Sequence, residues 1–204
     1  KHHFCLLNGL NPSEVAFIQF PSPFSPQNRP VIYTPVGLMS LNYIDKTLPK
    51  MIKVLLKILT IHDKEKGIIH CHSYKIANYI QSIIPRFPIL KRLLIHDSQN
   101  RDQILAMHLR SKSPTVLLSP SMTEGVDLTD KYSRFQIICK IPYPFLGDKL
   151  VKVKMKTWKW WDPYETSKKI IQSVGRSIRH ADDYATTYFL DKDWEVFYAD
   201  NYSL

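Results

Sequence analysis

Gln172-Ser173-Val174-Gly175-Arg176-Ser177-Ile178-Arg179-His180 is the stretch on which the reading of this chain turns. Its two arginines stand three residues apart, so on a helix they project from one face a turn apart. Gly175, just before the first, removes a side chain where a large ligand would approach. Ile170, Ile171, Val174 and Ile178 recur at intervals of three and four, the spacing that anchors the opposite face in a core. Two guanidiniums held on such a helix suit the clamping of phosphate oxygens, because each is a permanently charged planar fork of donors. Arg-x-x-Arg alone would read as a basic solvated helix; the full string Gln-x-x-Gly-Arg-x-x-Arg is far more specific.

Around this stretch lies a chain of 204 residues, enough for one well-packed domain. Its 28 Lys+Arg against 18 Asp+Glu give a formal charge of +10, which fits a polyanionic partner, nucleic acid before membrane. No apolar run reaches transmembrane length, and no signal-peptide pattern opens the sequence. Cys5, Cys71 and Cys139 are far apart without Cys-x-x-Cys spacing; Cys71 and Cys139 lie in apolar runs that predict buried thiols, and the set suggests a reducing, intracellular setting, cytoplasm or nucleus.

Prolines 12, 21, 23, 26 and 30 exclude a long helix from the first 34 residues and leave one short strand, Val15 to Phe20. Val31–Thr34 reads as a strand, and Pro49 to Ile61 as a helix opened by its proline. Strands are then expected at Ile68–Ser73, Arg92–His96, Thr115–Ser119, Phe135–Ile141 and Ala185–Asp191. Between them fall a helix from Tyr74 to Pro85 and one through Leu109 capped by Ser98 or Asn100. Repeated strand–helix alternation argues for a parallel sheet covered on both faces, with ligands at the carboxyl ends of its strands. Lys149–Pro163 reads both as a strand with a basic face and as a helix. Its Lys154 and Trp158 suit phosphate contact and base stacking, or equally a basic face with tryptophans in the core. His70 and His72 share a strand face but have no third ligand nearby, so no metal site is expected.

The string Gln172–Arg179 resembles motif VI of superfamily 2 helicases. Thr123-Glu124-Gly125-Val126-Asp127-Leu128 resembles motif V of their XPD/DinG group, and Ile141-Pro142-Tyr143-Pro144 is similar to the strand end that follows it. Ser73-Tyr74 after a strand resembles motif IV more weakly, and Ser22-Pro23-Phe24 a segment between the two motor domains. The resemblance implies a RecA-like α/β fold over residues 31–204, the C-terminal motor domain, with residues 1–30 as an extended linker from a preceding one. It also implies that Arg176 and Arg179 act as arginine fingers on ATP and that Gln172 contacts phosphate or the attacking water. Gly125 and Gly175 allow close approach of the nucleotide, Asp127 bonds the ribose or the arginines, and Glu124 couples nucleotide to nucleic acid. Ser73, Tyr74 and Thr123 would meet single-stranded DNA.

No Gly-x-x-x-x-Gly-Lys-(Ser/Thr) and no Asp-Glu-x-His occur, so ATP and Mg2+ would be held mainly by the other motor domain. The chain alone is expected to be inactive. Some members of the group carry an iron–sulfur cluster, on cysteines of a different domain, so one is expected only in the parent protein. Two alternatives stay open: a stand-alone nucleic-acid-binding module without motor activity, and an RNA helicase or translocase.

Overall fold

The computed structural model describes residues 2–97, 99–120 and 128–202. Six strands form one all-parallel sheet: β1 (Val31–Gly37), β2 (Gly67–His70), β3 (Leu93–Ile95), β4 (Val116–Ser119), β5 (Phe135–Ile138) and β6 (Thr186–Asp191). Their order across the sheet is β1-β6-β5-β2-β4-β3. The four residues of each of β2, β4 and β5 are all buried and largely apolar, as strands covered on both faces require.

Among the described residues seven α-helices accompany them: α1 (His2–Leu7), α2 (Ile44–Ile61), α3 (Tyr74–Ile83), α4 (Arg101–Arg110), α5 (Lys149–Thr157), α6 (Trp161–Val174) and α7 (Asp193–Asn201). One face of the sheet packs against α2 and α3, where Ile69, Leu118, Ile137 and Leu190 meet Leu48, Leu55, Leu59, Ile76 and Ile80. The other face is divided. Ile68 and Leu117 pack against Ile104, Leu105 and Leu109 of α4, while Ile138 and Phe189 pack against Ile170 of α6 and Phe197 of α7. Between these two apolar clusters the same face carries Gln136 and Thr187, buried and polar.

Several local expectations need correcting. Val15–Phe20 forms no strand; Phe17, Ile18 and Phe20 stand exposed, and the prolines at 21 and 23 leave no run long enough to join the sheet. α2 begins five residues before Pro49, because the buried Ile44 and Leu48 carry its apolar stripe upstream. Pro49 lies inside the helix, where its missing N–H forfeits one bond. Of the two expected caps of α4, Ser98 lies outside the described residues, and Asn100 makes no side-chain cap bond; its Oδ1 accepts from the Asp97 amide instead. β1 outruns the expected strand by three residues and includes Pro35, which an edge strand with an irregular register tolerates. Residues 149–157 are helical: Asp148 caps α5 by accepting from the amides of Leu150 and Val151. All three cysteines are free and buried, and burial beside Cys139 raises the Cys71 thiol pKa well above its usual range.

Candidate nucleotide and nucleic-acid site

The arginine stretch folds differently from the expected continuous helix. α6 ends at Val174, Gly175 is its C-cap, and Arg176 and Arg179 lie in the loop beyond, so they are not a turn apart on one helical face. Glycine after the last apolar position is a common helix stop, and the Gly175 amide closes it by donating to the Ile171 carbonyl at 2.8 Å. Ile170 and Ile178 are buried and Val174 packs against the cluster that holds Ile170, but Ile171 is 67% exposed, so three of the four expected anchors turn inward. Gln172 sits half-buried in the last turn of α6. Among the described residues, a Cβ added at Gly175 would meet only its own helix's Ile171 carbonyl, at 3.0 Å.

What holds the arginines is a set of buried polar groups. Gln136 donates from Nε2 to the Val174 carbonyl at 2.8 Å and to Thr187 Oγ1 at 3.0 Å, and Ser177 Oγ donates to Ser133 Oγ at 2.6 Å. These bonds fasten the end of α6 and the loop to the polar strip of the sheet. Asp183, fully buried, accepts from the Arg179 amide, the Asp130 amide, the Tyr184 amide and Arg134 Nη1, the last at 2.7 Å. The Leu128 amide donates to the Arg176 carbonyl at 3.2 Å. Thus the last residue of the motif V stretch, Leu128, and Asp130 just beyond it are both bonded to the arginine loop. Thr123, Glu124, Gly125 and Asp127 themselves lie outside the described residues.

His70 and His72, at the carboxyl end of β2, stack at 5.8 Å between ring centroids. Among the described residues neither nitrogen of the buried His70 has a hydrogen-bond partner, and Nε2 of the half-buried His72 has none either. Burial, with His72 and Arg176 nearby, holds the His70 pKa well below the usual range. Burial, then Lys169 and Lys140, lowers His72 to about 4. Both rings are therefore neutral at pH 7.

At the same carboxyl edge of the sheet, Ser73 caps α3 by accepting from the Ile76 amide, and Tyr74 is 62% exposed. Tyr74 lines a cleft of about 360 Å³ with Asn78, Gln81, His96 and Pro120, the residue at which the motif V connection leaves β4. Lys154 and Trp158 belong to another part of the molecule, on α5 and at its end. There the Lys154 ammonium lies 5.3 Å from the ring of the buried Trp161, and Trp158 stacks on Trp160.

Sequence reading missed Asp183, Gln136 and Ser177. A glutamine inside the otherwise apolar run Phe135-Gln-Ile-Ile was the available signal. Asp130, His180 and Asp183 bring ligand-type atoms within 4.8 Å of one another, but both Asp183 oxygens already accept from protein donors, so the group is a structural staple and not an ion cage.

A six-stranded parallel sheet carrying an arginine loop tied to the connection after β4 defines a RecA-like motor domain of the helicase type. Residues 55–196 match the family described as Helicase C-terminal domain, and the chain belongs to that family, in its XPD/DinG branch. It is 28% identical over 208 residues to the ATP-dependent DNA helicase DinG of Photobacterium profundum, covering 93% of this chain and 29% of that protein. With the ATP-dependent DNA helicase CHL1 of Eremothecium gossypii it shares 25% over 151 residues, 59% of this chain and 19% of that one. The chain thus spans less than a third of the length of these curated relatives. An apo XPD structure superposes with a TM-score of 0.68 at 19% identity over 86% of this chain and 38% of that one. The S. tokodaii Xpd4 structure gives 0.62 at 17%, over 85% and 36%. These two likenesses show the fold. Among the described residues no helix is long and apolar enough to cross a membrane.

Proposed function

We propose that this chain is the second motor domain of an ATP-dependent DNA helicase, intracellular, and that it completes an ATP site shared with a preceding RecA-like domain of the same protein. Residues 1–30 are the linker from that domain. ATP and its Mg2+ are held mainly there, by a phosphate-cradling loop and acidic residues this sequence lacks. Arg176 and Arg179 reach the terminal phosphoryl group and neutralise the charge that grows on its oxygens as the bond to the β-phosphate breaks. Such a role is worth about three to five powers of ten in related nucleotidases. Gln172 orients the attacking water, Asp127 and the backbone at Gly125 contact the nucleotide, and Glu124 links that contact to the nucleic acid.

The observation that carries this reading is the double tether between the two motifs: Leu128 to Arg176, and Asp130 with Arg179 on one Asp183 carboxylate. Groups about fifty residues apart in sequence are thereby held as one rigid unit, which is what transition-state stabilisation by preplaced charge demands. Single-stranded DNA runs along the carboxyl edge of the sheet, over Ser73, Tyr74 and Thr123, with Lys154 and Trp158 as a further contact. DNA is preferred to RNA because the DinG and CHL1 relatives are DNA helicases.

The test is ATP hydrolysis by the full-length protein, with and without single-stranded DNA, comparing wild type with Arg179→Ala. DNA-stimulated turnover that collapses in the variant, while ATP affinity changes little, supports the finger role. Equal turnover in both makes the arginine pair structural and brings forward a nucleic-acid-binding module without motor activity.

A further inference from the structure

The amino edge of the sheet, opposite Ser73 and Tyr74, is strongly charged. The approaches to β2, β4, β5 and β6 together with the end of α4 enclose a basin of about 670 Å³. Six cationic side chains and one acidic one line it, a formal +5, or half the chain's +10.

Helix carboxyl ends gather at this edge, and cations there serve first to satisfy their free carbonyls. Lys66, 8% exposed, does this: its ammonium donates to the carbonyls of His108 and Ser111 at the end of α4. Arg134 is likewise committed, to Asp183. Lys64, Arg110, Lys112 and Lys131 are different. All four are exposed and, among the described residues, none is in an ion pair. The floor beneath them is rigid: His108 Nε2 donates to the Tyr132 carbonyl at 2.8 Å while its Nδ1 accepts from Thr115 Oγ1 at 2.9 Å. The Tyr184 ring, 47% exposed, is braced by the Arg134 guanidinium 4.1 Å from its centroid. Unpaired charges around a braced aromatic ring offer phosphate contacts and a stacking surface together.

We propose that this basin is a second nucleic-acid contact, which binds the phosphodiester backbone through Lys64, Arg110, Lys112 and Lys131, on the sheet edge away from the strand path proposed above. The inference rests on the reading of the chain as a nucleic-acid motor, which supplies the polyanion. An acidic protein segment would find the same charges but little apolar surface to bury, since Leu109 and Pro114 are the basin's aliphatic lining residues.

The test uses full-length protein without nucleotide and the exposed-site variant Lys64→Ala/Arg110→Ala/Lys112→Ala, with unchanged thermal midpoint as the folding control. Anisotropy titrations over a salt series, on a labelled single strand and a labelled duplex, give the slope of log K against log salt. Each lost phosphate contact lowers that slope by about 0.7 on a single strand and about 0.9 on a duplex. The expected loss is therefore about 2 on a single strand or nearly 3 on a duplex, and the probe that shows it identifies the bound form. Wild-type slope and affinity on both probes overturn the basin, as does a variant defective only toward polyglutamate. Wild-type slopes in a variant with intact DNA-stimulated hydrolysis overturn the basin alone. Wild type that binds neither probe overturns both readings.

Discussion

Removing the Asp183 carboxylate is predicted to loosen the arginine loop and the domain together. Asp183 is fully buried and takes four donors, of which Arg134 at 2.7 Å carries a full charge. Deleting one partner of a buried ion pair costs about 3–5 kcal/mol, because the other charge is left without compensation. Arg134 retains 18% exposure and a longer ion pair to Asp130 at 3.8 Å, so part of that loss is recovered and the lower end, about 3 kcal/mol, applies to Asp183→Ala. For a domain of this size each kcal/mol lowers the thermal midpoint by about 2–4 °C, so a fall of about 6–12 °C is expected. The assay is thermal and urea unfolding of wild type, Asp183→Ala, Arg134→Met and the double variant. The double variant should be more stable than the sum of the single losses predicts, by about 0.5–3 kcal/mol of coupling. In the full-length protein, below all four midpoints, Asp183→Ala should lower kcat for ATP more than it raises KM, since the loop acts on the transition state. Strict additivity in the cycle, or a midpoint within 2 °C of wild type, refutes the argument that this carboxylate is what fastens motif VI to the sheet.

Two further outcomes follow from the packing. Burial lowers His108 to about 4, with the Tyr132 carbonyl opposing and Lys66 reinforcing the shift, against about 6.5 in the unfolded chain. The unfolded state then holds the extra proton between those values, so stability is full above about pH 6.5 and falls as pH drops, by at most about 1.4 kcal/mol per unit for this residue. The half-buried Asp162 and the buried Asp191 are shifted upward and act in the opposite sense, so the comparison is with His108→Gln, whose urea midpoint should change less between pH 7 and pH 5; parallel curves would exclude His108 as the titrating group. Gly67 opens β2 where an added Cβ would come within 2.6 Å of the Phe135 ring and 2.7 Å of its carbonyl, so Gly67→Ala should cost about 1–3 kcal/mol by overpacking. Gly175→Ala meets only a helix carbonyl and should cost about 1 kcal/mol or less, and equal losses in the two variants would contradict this geometry.

The strands were legible because burial on both faces leaves little choice of residue: Ile68-Ile69, Val116-Leu117-Leu118 and Ile137-Ile138 read as strands from composition and length alone. Their ends were not. Cys71 and Cys139 are as apolar and buried as the strands before them, yet each amide already donates to a neighbouring strand's last carbonyl as the chain turns away. α5 was ambiguous because alternating Val and Lys satisfies period two, and only the Asp148 cap and the 3.6-residue positions of Val151 and Met155 decide for helix. The functional residues show the same division. The string Gln172–Arg179 names the arginines, but not where they stand. Gly175 stops α6, and a guanidinium on a loop has no fixed direction of its own. Its placement depends on Gln136, from the neighbouring strand, and on Asp183, four residues past Arg179, neither of which belongs to the motif. A motif therefore states which groups do the chemistry, whereas their positions are set by buried polar residues that sequence pattern alone marks only as exceptions to an apolar run.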